Sequence, residues 1–144
     1  MKKIKLYTDG GSRGNPGPAA LGVVIESESA GKKIYGEYLG ERTNNQAEYE
    51  AVIFGLKKIK HMIGGDMALD SEIEIYLDSE LIVKQINGEY KIKEKEIRNL
   101  FIDVWNLRLD FKSVRFIHVP REKNAEADAA VNQVLDREAN KLNI

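Results

Sequence analysis

The sequence predicts an α/β fold with a mixed five-stranded sheet, in which an antiparallel three-strand meander is followed by two parallel strands and helices flank the sheet. Two patterns support this fold class. Three strand-like segments follow one another near the N-terminus, and strand and helix periodicities then alternate. With 144 residues, 42% of them hydrophobic, the chain has the usual size of one domain with a single core. We therefore expect one domain over residues 1–144.

The first three strands are predicted in the N-terminal third of the chain. Side chains alternate over residues 3–9, and the segments ALGVVIESES and KKIYGEYLGE provide the second and third strands, joined by the hairpin signal SAGK. Between the first two strands lies GGSRGNPGP, which has four glycines and two prolines. This composition predicts a loop that either turns tightly or lets a large ligand approach its backbone.

Helices and two further strands are predicted after residue 43. Apolar residues at steps of three and four predict a helix over residues 43–63, ended by Gly64 and Gly65. A fourth strand in SEIEIYLDS is followed by a short helix near residues 81–86 and a longer one over residues 97–107, in which Trp105 is expected in the core. SVRFIHVP predicts a fifth strand, and a terminal helix begins at Asn124, its expected cap.

Composition limits the possible functions. The 22 basic and 23 acidic residues give a net charge of −1, so any nucleic-acid contact must come from a local site, and the lysine clusters are equally typical of solvated faces. The absence of cysteine excludes disulfides and thiolate metal sites and favours a reducing compartment. No long apolar run or secretory signal is evident, and we expect a soluble cytoplasmic protein that contacts no membrane.

Two predicted strands end in the same way. Tyr7-Thr8-Asp9 closes the first strand and Tyr76-Leu77-Asp78 closes the fourth. If these strands are parallel neighbours, Asp9 and Asp78 lie side by side, and two adjacent carboxylates need protonation or a cation such as magnesium or manganese. Each aspartate alone would be typical of an ordinary turn.

Two more acids have competing interpretations. Glu48 lies in the first turn of the helix that begins in RTNNQAEYEAV and can face the sheet, but the Asn45-x-x-Glu48 spacing also fits a capping box, which spacing alone favours. Asp128 lies among alanines that would let the terminal helix approach the sheet closely. It could equally oppose the dipole of that helix.

Four segments in order give the chain a resemblance to type 1 ribonuclease H over nearly its whole length: YTDGGSRGNPGPAALG, TNNQAEYEAV, DSELIVKQINGEY and HVPREKNAEADAA. The resemblance implies that Asp9, Glu48, Asp78 and Asp128 hold two magnesium ions, with manganese as a possible substitute. It further implies hydrolysis of the RNA strand of RNA·DNA hybrids, giving 5′-phosphate and 3′-hydroxyl ends. In-line phosphodiester hydrolysis by a cation pair requires hard, negatively charged ligands, which carboxylates supply.

Residues that would contact the hybrid also follow from the resemblance. Backbone in the glycine-rich loop could reach 2′-hydroxyl groups in the minor groove, and amide side chains offer both donors and acceptors. Helix capping and turn stabilisation are alternative roles for the same amides. The expected contacts are Gly10, Gly11, Ser12, Asn15, Asn44, Asn45 and Gln46.

The chain departs from the family pattern at two places. Many members carry a histidine in a flexible loop before the fourth acid, but here His118 falls within a strand and we expect it to be structural. Arg121, in the loop that follows, is our candidate for assisting the leaving phosphate because its planar guanidinium suits phosphate. The segment 88–98 is too short for the basic insertion that some relatives carry.

Two other functions remain open at this level. A hybrid- or RNA-binding module without catalysis could keep the same fold, and another metal-dependent nuclease of the resolvase, integrase or retroelement type could share its architecture. The complete set of four acids favours an enzyme over a binding module. We expect a hybrid duplex as the partner, no protein partner and a monomer.

Overall fold

The computed structural model describes residues 2–142 and contains one five-stranded sheet of order β3-β2-β1-β4-β5. The strands are β1 (Lys2–Ser12), β2 (Gly17–Ser27), β3 (Gly31–Arg42), β4 (Ser71–Leu77) and β5 (Ser113–His118). The helices are α1 (Asn44–Ile63), α2 (Gly65–Leu69), α3 (Glu80–Ile86), α4 (Lys95–Leu107) and α5 (Ala125–Leu142).

Strand pairing confirms the predicted fold class. β1 pairs antiparallel with β2, and β2 pairs antiparallel with β3. β4 runs parallel to both β1 and β5. The central strand β1 therefore has β2 and β3 on one side and β4 and β5 on the other. Residues near its carboxyl end lie between the two halves of the sheet.

The first two strands are longer than predicted because their glycine-rich ends pair with each other. Residues 10–12 continue β1 and lie opposite residues 19–21 of β2. Only Arg13–Pro16 remains as the connecting turn, closed by a hydrogen bond from the Arg13 N–H to the Pro18 carbonyl at 2.8 Å. Glycine has no strand propensity of its own, so the sequence pattern did not reveal this extension.

Alternating side chains of the central strands form the main core. Ile4 and Leu6 of β1 and Ile73 and Ile75 of β4 are buried on one face, which α1 covers, and α4 packs against α1 in the same core. Gly55 of α1 lets the helix contact the Leu6 side chain directly. Each such side chain contributes about 1.5–3 kcal/mol on burial, so this face holds the site-bearing strands rigidly in place.

Helix α5 packs on the opposite face of the sheet through small residues. Its contact with β2 is so close that a Cβ at Gly22 would collide with the Ala127 carbonyl oxygen and would lie 3.0 Å from the Ala130 Cβ. Val131 and Val134 form a second apolar cluster with Ala20. The predicted close approach of this alanine-rich helix is confirmed.

Three details differ from the predictions. Trp105 is 44% exposed, because α4 buries Ile97 and Val104, and the indole ring instead stacks on Phe101 and lies 3.5 Å from the Arg108 guanidinium. The helix α1 ends at Gly64 as predicted, but Gly65 begins the short helix α2, which the sequence pattern did not predict.

The third difference concerns Asn124, which does not cap α5. It ends a 3₁₀ turn that leads into the helix, and its side-chain oxygen accepts no hydrogen bond, whereas an N-cap oxygen accepts one from a backbone N–H. Its side-chain amide instead donates to β1.

Candidate metal centre

The two strand-end aspartates lie at neighbouring positions of the sheet. Tyr7 of β1 is in register with Tyr76 of the parallel β4, and their rings stack at 4.9 Å between centroids. Two residues later, Asp9 lies within β1, which runs on to Ser12, and Asp78 directly follows the end of β4. The parallel pairing required to bring these carboxylates together is therefore present.

Glu48 comes to the same place because α1 starts directly against β1. Gly10 makes this possible, since a Cβ at that position would collide with the backbone of Ala47. Glu48 is only 9% exposed, and its Oε2 atom has no hydrogen-bond partner. An unpaired, buried carboxylate oxygen is costly unless a cation or proton satisfies it.

The capping interpretation of Glu48 is wrong. A reciprocal capping box at the start of α1 is formed by Thr43 and Gln46: the Gln46 N–H donates to the Thr43 hydroxyl at 3.1 Å, and the Thr43 N–H donates to the Gln46 Oε1 at 2.9 Å. Since the Thr43/Gln46 box, two residues earlier than the Asn45/Glu48 spacing, satisfies both donors, the Glu48 side chain is free to face the sheet.

Three carboxylates converge closely enough to share a cation. One oxygen from each of Asp9, Glu48 and Asp78 lies within 4.8 Å of the other two. At that separation two unit charges repel by about 3 kcal/mol at an effective dielectric constant near 20. The donor set consists of hard oxygens only, which suits magnesium or manganese and excludes ions that need sulfur or imidazole ligands.

The raised pKa values of two of these acids reflect the electrostatic cost of bringing them together. The pKa of Asp9 is raised to about 8, chiefly by burial and then by the charges of Asp78 and Asp128. Burial also raises the pKa of Glu48, with Asp9 and Asp78 adding to the effect, while the Gly10 amide and the Arg121 charge act in the opposite direction. The cluster therefore retains protons unless positive charge enters it.

Asp128 joins the cluster from α5. It lies in the first turn of that helix, is partly buried and lines the same cleft as Asp9, whose pKa its charge helps to raise. Asp128 is not part of the group of three within 4.8 Å, so it borders the site on the Asp9 side. The same first-turn position also suits the helix dipole, and the two roles are compatible.

These acids line a cleft of about 340 Å³. Arg121, from the 3₁₀ turn before α5, reaches the same cleft, whereas His118 ends β5 and is exposed. Arg13 and Asn132 also line the cleft and had not been singled out from the sequence. Asn132 could have been found by helical spacing, because it lies one turn after Asp128, and its Nδ2 donates to the Asp128 carbonyl at 3.1 Å.

The amide residues connect the glycine-rich turn to the start of α1. Asn44 Oδ1 accepts hydrogen bonds from the N–H and the hydroxyl of Ser12 at 2.9 and 3.1 Å, and the Asn44 N–H donates to Asn15 Oδ1 at 3.0 Å. Asn45 donates to Glu94 at 3.3 Å. We call Asn15, Asn44, Asn45 and Gln46 the amide rim; of these residues, Asn44 lines the cleft itself. The hydrogen bonds of Asn15 and Asn44 also give them the turn-stabilising role considered as an alternative.

Of the glycines expected at the substrate surface, Gly10 is buried and Gly11 is partly buried. The packing of α1 explains Gly10, so the sequence-based reason for a glycine there was incomplete.

Within residues 2–142, the structure has no helix with the length and apolar character needed to cross a membrane.

Comparisons with known proteins agree with this geometry. Residues 7–134 match the family model described as Reverse transcriptase-like. Ribonuclease HI of Halobacterium salinarum is 38% identical over 135 residues, which make up 93% of this chain and 65% of that protein. Ribonuclease H of Sulfurovum sp. is 34% identical over 121 residues, with 81% of this chain and 75% of the relative covered. The chain spans just under two thirds of the Halobacterium relative and 36% of the Mycobacterium tuberculosis bifunctional protein Rv2228c.

Solved structures show the same relationship. LC11-RNase H1, isolated from compost by a metagenomic approach, has 45% identity and a TM-score of 0.88, with 96% of this chain and 99% of that chain covered. Its complex with an RNA/DNA hybrid has 44% identity and a TM-score of 0.86, with 94% and 99% covered. On the strength of the shared fold, the family match and this coverage, the chain belongs to the type 1 ribonuclease H family.

Proposed function

We propose that this chain is a cation-dependent endonuclease that hydrolyses the RNA strand of RNA·DNA hybrids and leaves 5′-phosphate and 3′-hydroxyl ends. The convergence of Asp9, Glu48 and Asp78 within 4.8 Å is the observation that carries the proposal. The relative solved with an RNA/DNA hybrid supports the choice of substrate.

Two magnesium ions, replaceable by manganese, would be held by Asp9, Glu48, Asp78 and Asp128. The unpartnered Glu48 oxygen and the raised pKa of Asp9 fit such a group, because a cation would remove both costs. Bound cations supply activation of water and charge neutralisation at the scissile phosphate. The four carboxylates would hold this charge, and the packed strands and helices that carry them would fix its position.

The amide rim would recognise the substrate. Asn15, Asn44, Asn45 and Gln46 lie where α1 meets the turn after β1, and their side chains offer donors and acceptors to sugar and base edges. Gly11 and Ser12 present backbone next to this rim. Backbone and amide groups that reach a 2′-hydroxyl would distinguish RNA from DNA in the same duplex.

Arg121 would act on the phosphate. It lines the cleft beside the acids, and its charge partly opposes the rise in the pKa of Glu48. The guanidinium is therefore electrostatically coupled to the cluster. Its permanent charge and planar geometry suit a developing phosphate charge but exclude general-base catalysis. His118 would have no part in the reaction.

Cleavage of an end-labelled RNA·DNA hybrid tests the proposal. We expect cleavage of the RNA strand with magnesium or manganese, no cleavage in EDTA, and no comparable cleavage of double-stranded RNA or double-stranded DNA. Asp78→Asn should slow cleavage by at least about 10³-fold, because it removes charge at the reacting centre. Asp103→Asn, which removes an exposed carboxylate of α4, is the matched control and should behave like the wild type.

The outcomes separate the alternatives. Hybrid binding without cleavage at any cation concentration would favour a binding module, and equal cleavage of double-stranded DNA would favour another nuclease of this fold. We also propose that residues 1–144 form a single domain that acts as a cytoplasmic monomer. Sedimentation of the protein with and without hybrid tests the oligomeric part.

A further inference from the structure

The start of α5 is tied to β1 immediately beside Asp9. Asn124 is 1% exposed, and its Nδ2 donates to the carbonyl oxygen of Thr8 at 2.8 Å, across 116 residues of chain. Thr8 directly precedes Asp9. The parallel ladder between β1 and β4 extends only to Tyr7 and Tyr76, so Asn124 supplies a donor to β1 one residue beyond the end of that ladder.

A second contact holds the beginning of α5 against β2. Gly22 of β2 is the cross-strand partner of Asp9. The space that a side chain at Gly22 would fill is taken by the Ala127 carbonyl and by the backbone of Val131, which lies 3.1 Å from the position of that missing Cβ. Asp128 lies between these contacts, directly after Ala127 and one helical turn after Asn124.

We propose that Asn124 is a positioning residue for the cation site: its hydrogen bond to the Thr8 carbonyl fixes α5 so that the carboxylate of Asp128 stays beside that of Asp9. This inference rests on the proposed function, since it concerns the same acids. Asn124 itself touches neither substrate nor cation and acts through the backbone of β1 and the first turn of α5.

The chemistry of Asn124 favours this role over simple packing. Its Oδ1 is buried without a hydrogen-bond partner, which disfavours the folded state. An apolar side chain would fill the same space without that cost. What such a side chain lacks is a directional link from α5 to β1. Groups that orient metal ligands without touching the metal are known to change cation affinity and activity by about 10–100-fold.

The test compares Asn124→Ala with Val134→Ala. Val134 belongs to the apolar cluster beneath α5 but does not line the cleft of the acids, so its truncation loosens the same helix without removing the link to Thr8. Manganese affinity is measured by calorimetry on substrate-free protein, alongside the thermal midpoint and the kcat and KM for hybrid cleavage. Asn124→Ser retains a hydroxyl donor and space for a bridging water, and it serves as the milder replacement if Asn124→Ala does not fold.

For Asn124→Ala we expect the Kd for manganese to rise and kcat to fall, each by about tenfold, with KM for the hybrid within about twofold of the wild type. Val134→Ala should lower the thermal midpoint while its manganese Kd and kcat stay within about twofold. If the Asn124 variant loses stability but matches Val134→Ala in manganese Kd and kcat, its role is structural only and the proposal is overturned.

Failure of the proposed function would look different. A wild-type protein that binds manganese but cleaves no hybrid would contradict the nuclease assignment, and the manganese Kd of the Asn124 variants would still decide the positioning role. A wild-type protein that binds no manganese at all would overturn the positioning role as well.

Discussion

Replacing Asp9 with asparagine should make the cation-free protein more stable at high pH. The folded state raises the pKa of Asp9 from its ordinary value of 3.8 to about 8, chiefly through burial and then through Asp78 and Asp128. An acid whose pKa rises on folding binds its proton more tightly in the folded state. Stability is therefore highest below the unfolded pKa and is lost as pH rises from about 4 to about 8.

The magnitude follows from the size of the shift. Each pH unit within this window costs about 1.4 kcal/mol, so the wild type should lose about 4 kcal/mol through Asp9 between about pH 5 and about pH 9. Asparagine has nearly the shape of the protonated acid and does not ionise. The stability difference between Asp9→Asn and wild type should therefore grow by up to about 4 kcal/mol over the same interval.

Urea unfolding in EDTA at the two pH values measures this difference. Asp103→Asn, which removes an exposed carboxylate, should follow the wild-type pH dependence. Saturating magnesium should flatten the wild-type dependence and leave Asp9→Asn almost unchanged, because only the intact site gains from bound charge. Parallel pH profiles for wild type and Asp9→Asn without cations would refute the account of the acidic cluster.

Further changes test other parts of the argument. Arg121→Ala should lower kcat by about tenfold, in line with loss of one charge-stabilising group, and His118→Ala should leave it unchanged; an equal loss in both variants would reassign the role. Gly10→Ala should destabilise the protein by about 1–3 kcal/mol in urea unfolding, because the new methyl group collides with the backbone of Ala47, and a neutral result would contradict that contact. Trp105→Ala should change stability by less than about 1 kcal/mol, since the ring is 44% exposed, and a core-sized loss would place Trp105 in the interior after all.

Local patterns were enough to predict the strands that carry the site. The alternation before Asp9 and before Asp78 is the same, although Asp9 lies within β1 and Asp78 directly follows β4. The order of strands and helices predicts a parallel pair, and the structure shows that β4 is the parallel neighbour of β1. The spacing rule failed for Glu48, because two overlapping capping boxes fit the same segment and only packing against β1 decides between them. The tertiary contact at Gly10 selects the Thr43 box and turns Glu48 inwards.

Other features depended on contacts that no local pattern encodes. Trp105 was expected in the core because it belongs to an apolar stripe, but α4 exposes the edge of that stripe. Asn124 has the residue type and the position of a helix cap, yet its side-chain amide donates to a strand residue 116 positions away in the chain. Trp105 thus contacts Phe101 of its own helix and Arg108 directly after it, whereas Asn124 is held by a neighbouring strand.

The long separation between Thr8 and Asn124 has a consequence for protein synthesis. While the ribosome is still translating the last helix, β1 to β4 are already available, but the link from Asn124 to Thr8 and the fourth carboxylate are missing. Contacts of such sequence separation form late, because closing a long loop costs entropy before any contact repays it. A nascent chain in contact with RNA should therefore lack a complete hydrolytic centre until α5 docks.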